Sequence, residues 1–91
     1  MKCVQITVYG KVQGVFFRKY TQQIAMSLEL SGFVRNNKNG TVSIEAAGSD
    51  EKVNKLVEWC RKGPLGANVE RAEVNEINPG KYRSFEIRRT V

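Results

Sequence analysis

From Lys2 to Tyr9 the chain alternates, with Val4, Ile6 and Val8 on one face and Gln5, Thr7 and Tyr9 on the other. That period-two pattern predicts a half-buried strand. The stretch GKVQGVFFR, Gly10 to Arg18, then reads as a glycine-bearing loop that runs into a helix. Phe17, Thr21, Ile24, Ala25 and Leu28 recur at helical spacing and predict about three turns. Ser31-Gly32 is the expected stop. Phe33 to Asn36 and Thr41 to Ala47 read as two strands. Asn39-Gly40 marks a hairpin between them, because both residues tolerate positive φ. Ser49 or Asp50 caps a second helix, whose apolar stripe is Val53, Leu56, Val57 and Cys60, with Trp59 at the edge of the core. Gly63-Pro64 ends that helix, and Val69 to Ile77 and Ser84 to Arg88 are the last strands, parted by Asn78-Pro79-Gly80.

The resulting order is βαββαβ plus a short fifth strand. It predicts an α+β, ferredoxin-like sandwich: an antiparallel sheet with two helices on one face. The other face is expected to be open to water and to carry Gln5, Thr7, Thr41, Ser43 and Glu45. The 91 residues suit a single domain, 1–91, with a modest core.

Composition changes this picture little: 41% hydrophobic and 26% charged residues are ordinary for a globular chain. The N-terminal stretch is too broken by polar residues to be a signal peptide or membrane span. A net charge of +6 favours anionic partners, although any single cation is first a solvated surface group. Cys3 and Cys60 fall on opposite faces of the expected sheet, too far apart to bridge. Unpaired thiols fit a reducing cytoplasm. The chain has no histidine, and neither cysteine has a CxxC context, so no metal site and no cofactor are expected.

The chemistry therefore concentrates in the glycine-bearing loop. Backbone N–H groups at a helix start lack intrahelical partners, and glycines let several of them turn toward one anion. Arg18 adds a planar fork of donors suited to two phosphate oxygens. The bland alternative is a tight turn with a solvated arginine. A cation at a helix start opposes the helix dipole by about 0.3–1 kcal/mol, a conflict that a bound anion removes.

The stretch Gly10 to Arg18 resembles the first signature of the acylphosphatases. Gly32-Phe33-Val34-Arg35-Asn36, followed by Gly40-Thr41-Val42 and Gly48, resembles their second, in the same order and spacing. The resemblance extends to LVEWCRKGP and the closing SFEIRR. It implies hydrolysis of a carboxyl–phosphate anhydride, with Arg18 binding the phosphoryl group and Asn36 orienting the attacking water. It also implies a backbone cradle for the phosphate at Gln13, Gly14, Val15, Phe16 and Phe17. Phe16 stands where some members have cysteine or glycine, and Asn37 where some have threonine.

So few groups suffice because a carboxylate leaves as a stable anion and needs no general acid. A loose phosphoryl-transfer transition state asks mainly for positioning and charge stabilisation. The substrate's own phosphate oxygens can accept the water proton. The expected partners are a small acyl phosphate and a phosphate or sulfate anion at the loop, with no nucleic acid or membrane, and the chain is expected to be a cytoplasmic monomer. The rival readings are a non-catalytic domain of the same fold and an RNA-binding module of the same strand order. The RNA reading is thin: the third strand's outward positions carry no aromatic to stack on a base, and only Tyr9 and Phe33 are candidates.

Overall fold

In the computed structural model, which describes residues 1–90, the opening alternation carries a strand, β1 (Lys2–Lys11), through Gly10 rather than ending before it. The chain continues as α1 (Phe17–Ser27), β2 (Ser31–Asn36), β3 (Val42–Gly48), α2 (Asp50–Lys62), β4 (Asn68–Glu76) and β5 (Phe85–Arg88). The strands form one sheet in the order β4-β1-β3-β2-β5. Pairing is antiparallel among the first four in that order, whereas β5 runs parallel to β2, with Gly32 opposite Phe85 and Val34 opposite Ile87. The expected ferredoxin-like arrangement is present, with the fifth strand as its parallel exception.

The register explains the core. Val4 lies opposite Ala46, Ile6 opposite Ile44 and Val8 opposite Val42, while Val34 faces Ile44 from the other side. These side chains, with Phe17 and Ala25 of α1 and Val53, Leu56 and Cys60 of α2, form one buried cluster. Each fully buried aliphatic or aromatic side chain contributes about 1.5–3 kcal/mol. Trp59 packs at the cluster's margin, its ring tilted against Phe17 at 5.4 Å between centroids. Burial on the inner face of α2 pushes the Cys60 thiol up to about 12, and it stays neutral.

Two local expectations need correction. Ser31-Gly32 does not stop α1; both residues already belong to β2. The stop is Glu29, which adopts φ 58°. Its N–H donates to the Met26 carbonyl, and the Leu30 N–H donates to that of Ala25, while Leu30 and Ala25 are both buried. That is a Schellman closure with glutamate in the position glycine usually takes. Lys52 of α2 pairs with the Glu29 carboxylate and holds it below the ordinary carboxylate range. In the hairpin, only Gly40 takes positive φ. The Gly40 N–H closes a turn on the Asn37 carbonyl at 3.1 Å. Asn39 acts through its side chain, which accepts from the Thr41 N–H and hydroxyl.

The second sheet face also departs from expectation, because Thr41 and Ser43 are buried. The Asn37 amide donates to both hydroxyls, at 2.9 and 2.6 Å. Further along, Tyr82 covers the face beside Phe33 and donates its hydroxyl to Glu45 Oε1 at 2.5 Å. Burial, then that hydrogen bond, raises the Tyr82 phenol above its ordinary range. Cys3 lies under the same tyrosine, 3.7 Å from its oxygen, on the face opposite Cys60. The aromatics on this face are already covered: Arg88 and Arg35 lie over Phe33 and Arg71 over Tyr9.

Candidate active site

The loop that feeds α1 is shaped at its entry by a bulge. The register of β1 against β4 shifts between Tyr9 and Gly10. Gly10 sits there at φ +126°, and a Cβ on it would lie 2.1 Å from the Asn68 carbonyl oxygen. Only glycine fits both the conformation and the contact. The bulge redirects the chain, after which Val12 is buried and Gly14 turns at φ +75°.

Gln13 pins this loop to the β2–β3 hairpin. Its Nε2 donates to the Asn37 carbonyl at 2.8 Å and to the Thr41 carbonyl at 2.9 Å. One side chain thus ties the segment before α1 to the segment after Asn36. Val15 packs against the core cluster. Phe16, the residue before α1, adopts the left-handed conformation at φ 60° and ψ 26°, with its ring 72% exposed. For a bulky side chain this conformation costs roughly 1–2 kcal/mol, and such strain concentrates at functional segments.

The start of α1 has no side-chain cap and no acidic residue in its first turn. α2 shows what a completed helix looks like in the same chain. Ser49 caps it by accepting from the Lys52 N–H, Asp50 and Glu51 occupy its first turn, and Arg61 and Lys62 its last. Both features complement the helix dipole. At α1 the polarity is reversed: unpartnered N–H groups and two cations, Arg18 and Lys19, share the helix start. Among the described residues no carboxylate pairs with either cation. Such a helix start is electrostatically suited to an anion.

A cavity of about 320 Å³ opens at that terminus. Gly14, Phe16, Phe17 and Arg18 line it together with Asn36, so residues 18 to 22 positions apart meet where β2 ends beside the start of α1. Gln13 and Val15 are not among its lining residues. Val12, Lys19 and Ile87 complete the wall; the resemblance assigns none of them a role. Lys19 was visible only as a neighbour of Arg18. Ile87 lies in the SFEIRR stretch that resembles the family, but only the parallel pairing of β5 with β2 brings it to this wall.

The asparagines of the hairpin divide by how their side chains are spent. Asn37 donates to Thr41 and Ser43 and accepts from Arg35, and Asn39 accepts from Thr41. Asn36 is half-buried at the cavity wall, and among the described residues its amide makes no hydrogen bond. It retains both donors and an acceptor for a bound molecule. No three histidine, cysteine, aspartate or glutamate side chains among the described residues come together as a metal site. The charged equipment of the cavity is cationic.

Residues 4–87 match the model of the acylphosphatase family. The chain is 44% identical over 88 residues to the acylphosphatase of Syntrophus aciditrophicus, covering 96% of this chain and 92% of that one. A solved acylphosphatase structure from Coxiella burnetii superposes with a TM-score of 0.92 at 39% identity, over 96% of this chain and 92% of that one. The Bacillus subtilis acylphosphatase structure gives 0.91 at 33% identity, over 96% and 98%. With its two motifs converging on one cationic cavity and its fold matched nearly end to end, this chain belongs to the acylphosphatase family.

Proposed function

We propose that the chain hydrolyses acyl phosphates to a carboxylate and inorganic phosphate, with Arg18 holding the phosphoryl group and Asn36 orienting the attacking water. The observation that carries the residue assignment is the uncapped, doubly cationic start of α1 sharing one cavity with the unspent amide of Asn36. The phosphoryl oxygens lie against the loop N–H groups from Gln13 to Phe17 and against the guanidinium, which together offset the charge of the transition state. Asn36 accepts from and donates to the water, holding it in line with the bond that breaks. The leaving carboxylate departs as an anion, so neither an acid nor a metal ion is required. The water proton passes to a phosphoryl oxygen of the substrate.

In this reading the chain acts as one domain over 1–91, as a cytoplasmic monomer, with no nucleic-acid or membrane partner. Its cysteines are both free and buried, as suits a reducing compartment. Among the described residues, no helix is long and apolar enough to cross a membrane.

The test compares acyl phosphates with alkyl phosphate monoesters in the presence of excess chelator. Turnover of the first class alone, undiminished by chelation, is the expected result. Comparable turnover of both classes, or activity recovered only on adding Mg²⁺, would overturn the mechanism. Inorganic phosphate should also raise the melting midpoint, by the equivalent of about 1.4 kcal/mol at ten times its dissociation constant. An Arg18→Ala variant should lose that rise.

A further inference from the structure

The cavity offers more than an anion needs. Phe16 is 72% exposed and Ile87 42% exposed, and both line the same wall as Arg18 and Asn36. Neither ring nor aliphatic group is required to bind phosphate. Phe16 is held out of the core by a left-handed backbone that a phenylalanine adopts only at a cost. Ile87 lies across from Val34 but beyond the covered part of the sheet, on the outermost strand. Two apolar side chains are thus left uncovered beside the position where the phosphoryl group docks. At about 320 Å³ the cavity also falls in the small-ligand range and exceeds the needs of a phosphate alone.

Resting on the activity proposed above, we infer that Phe16 and Ile87 form the acyl-group subsite and that the preferred substrates are acyl phosphates with a neutral, apolar acyl chain. The occupant is fixed by covalent continuity, because a phosphoryl group at Arg18 must carry its acyl group into the rest of the same cavity. Among the described residues the only formally charged ones in the lining are Arg18 and Lys19, both at the first turn of α1 where the phosphoryl charge is proposed to lie. The residue that β5 contributes to the lining, Ile87, is aliphatic. Acyl contacts of this kind exist in the ground state and persist through the reaction, so they act on KM more than on kcat.

Complete burial of a methylene changes an equilibrium constant about fourfold, and an open groove covers only part of one. Across acetyl, propionyl, butyryl and hexanoyl phosphate, kcat/KM of the wild-type protein is therefore expected to rise about twofold per methylene, mainly through KM. The rise should flatten in Ile87→Thr, which keeps a β-branched side chain in β5. It should flatten too in Phe16→Asn, whose residue tolerates the left-handed backbone. A flat wild-type series would overturn the subsite, whether or not the variants fold. So would a slope unchanged in both folded variants. Preference for succinyl over butyryl phosphate would overturn it as well, and would assign Lys19 to the acyl end. No turnover of any acyl phosphate would instead remove the activity on which the inference rests.

Discussion

Arg18→Lys isolates what the guanidinium does, because the net charge stays at +6 while the planar fork becomes a single ammonium. Arg18 lies half-buried at the rim, outside the packed cluster, so stability should move by no more than about 0.5 kcal/mol. Loss of a transition-state donor should lower kcat/KM by roughly 10²–10³. Chemical denaturation beside steady-state kinetics checks both halves, and near wild-type activity in a folded protein would reduce Arg18 to a solvated helix-start residue. At this scale the motifs point to Arg18 and Asn36 as candidates but carry no reason for Asn36 to differ from Asn37. That difference lies in which amide is already engaged across the hairpin, a tertiary fact. The left-handed backbone of Phe16 was equally hidden, since a bulky aromatic gives no local reason to expect it.

Among the elements, the strands and helices were legible because each has one apolar face, at period two or at helical spacing. Their ends were less so. Glycine was expected to stop α1 where a glutamate does, because a Schellman closure depends on Leu30 reaching the core. A bulge at Gly10 resembles a loop start along one strand alone and shows itself only in the register against β4. The join between elements that bears most on the site is Gln13, whose two hydrogen bonds couple the loop to the hairpin. Gln13→Ala leaves neither carbonyl orphaned, since the Gly40 N–H still serves Asn37 and the Asn37 N–H still serves Thr41. The stability loss should therefore stay near about 1–2 kcal/mol. Activity should fall further, by up to ~10²-fold, as Arg18 and Asn36 lose their fixed separation. Lost stability with unchanged kcat/KM would limit Gln13 to a structural part.

For the molecule as a whole, the covered second face of the sheet was the main surprise. Thr41 and Ser43 look like surface residues until Asn37 folds over them, and Tyr82 comes from a segment with no strong pattern. The buried thiol of Cys60 gives a global prediction. An unfolded cysteine ionises near about 8.5, whereas burial pushes Cys60 up to about 12. Between those values the unfolded chain binds fewer protons than the native one. Stability is thus fully present below the unfolded value and declines as pH rises, by roughly 1.4 kcal/mol per unit once the unfolded thiol is ionised. Denaturant midpoints from pH 8 to 11 should fall in the wild type and fall less steeply in Cys60→Ala. Parallel curves would mean that other groups govern the alkaline limb.

β5 gives the cavity a wall with its own lifetime. Phe85 anchors the strand in the core, and Gln22 Nε2 donates to its carbonyl at 3.0 Å, but Glu86, Ile87 and Arg88 are exposed and paired on one side only. Such a segment opens locally at a free energy well below that of global unfolding. In native-state deuterium exchange, the peptide carrying residues 85–88 should take up label by local opening while the peptide carrying residues 4–8 waits for the whole sheet. Equal protection of the two would show that β5 opens only with the rest. In the proposed mechanism, an excursion that peels Ile87 from the cavity leaves Arg18 and Asn36 in place, so product would leave past the edge of the sheet without movement of the arginine proposed to hold phosphate.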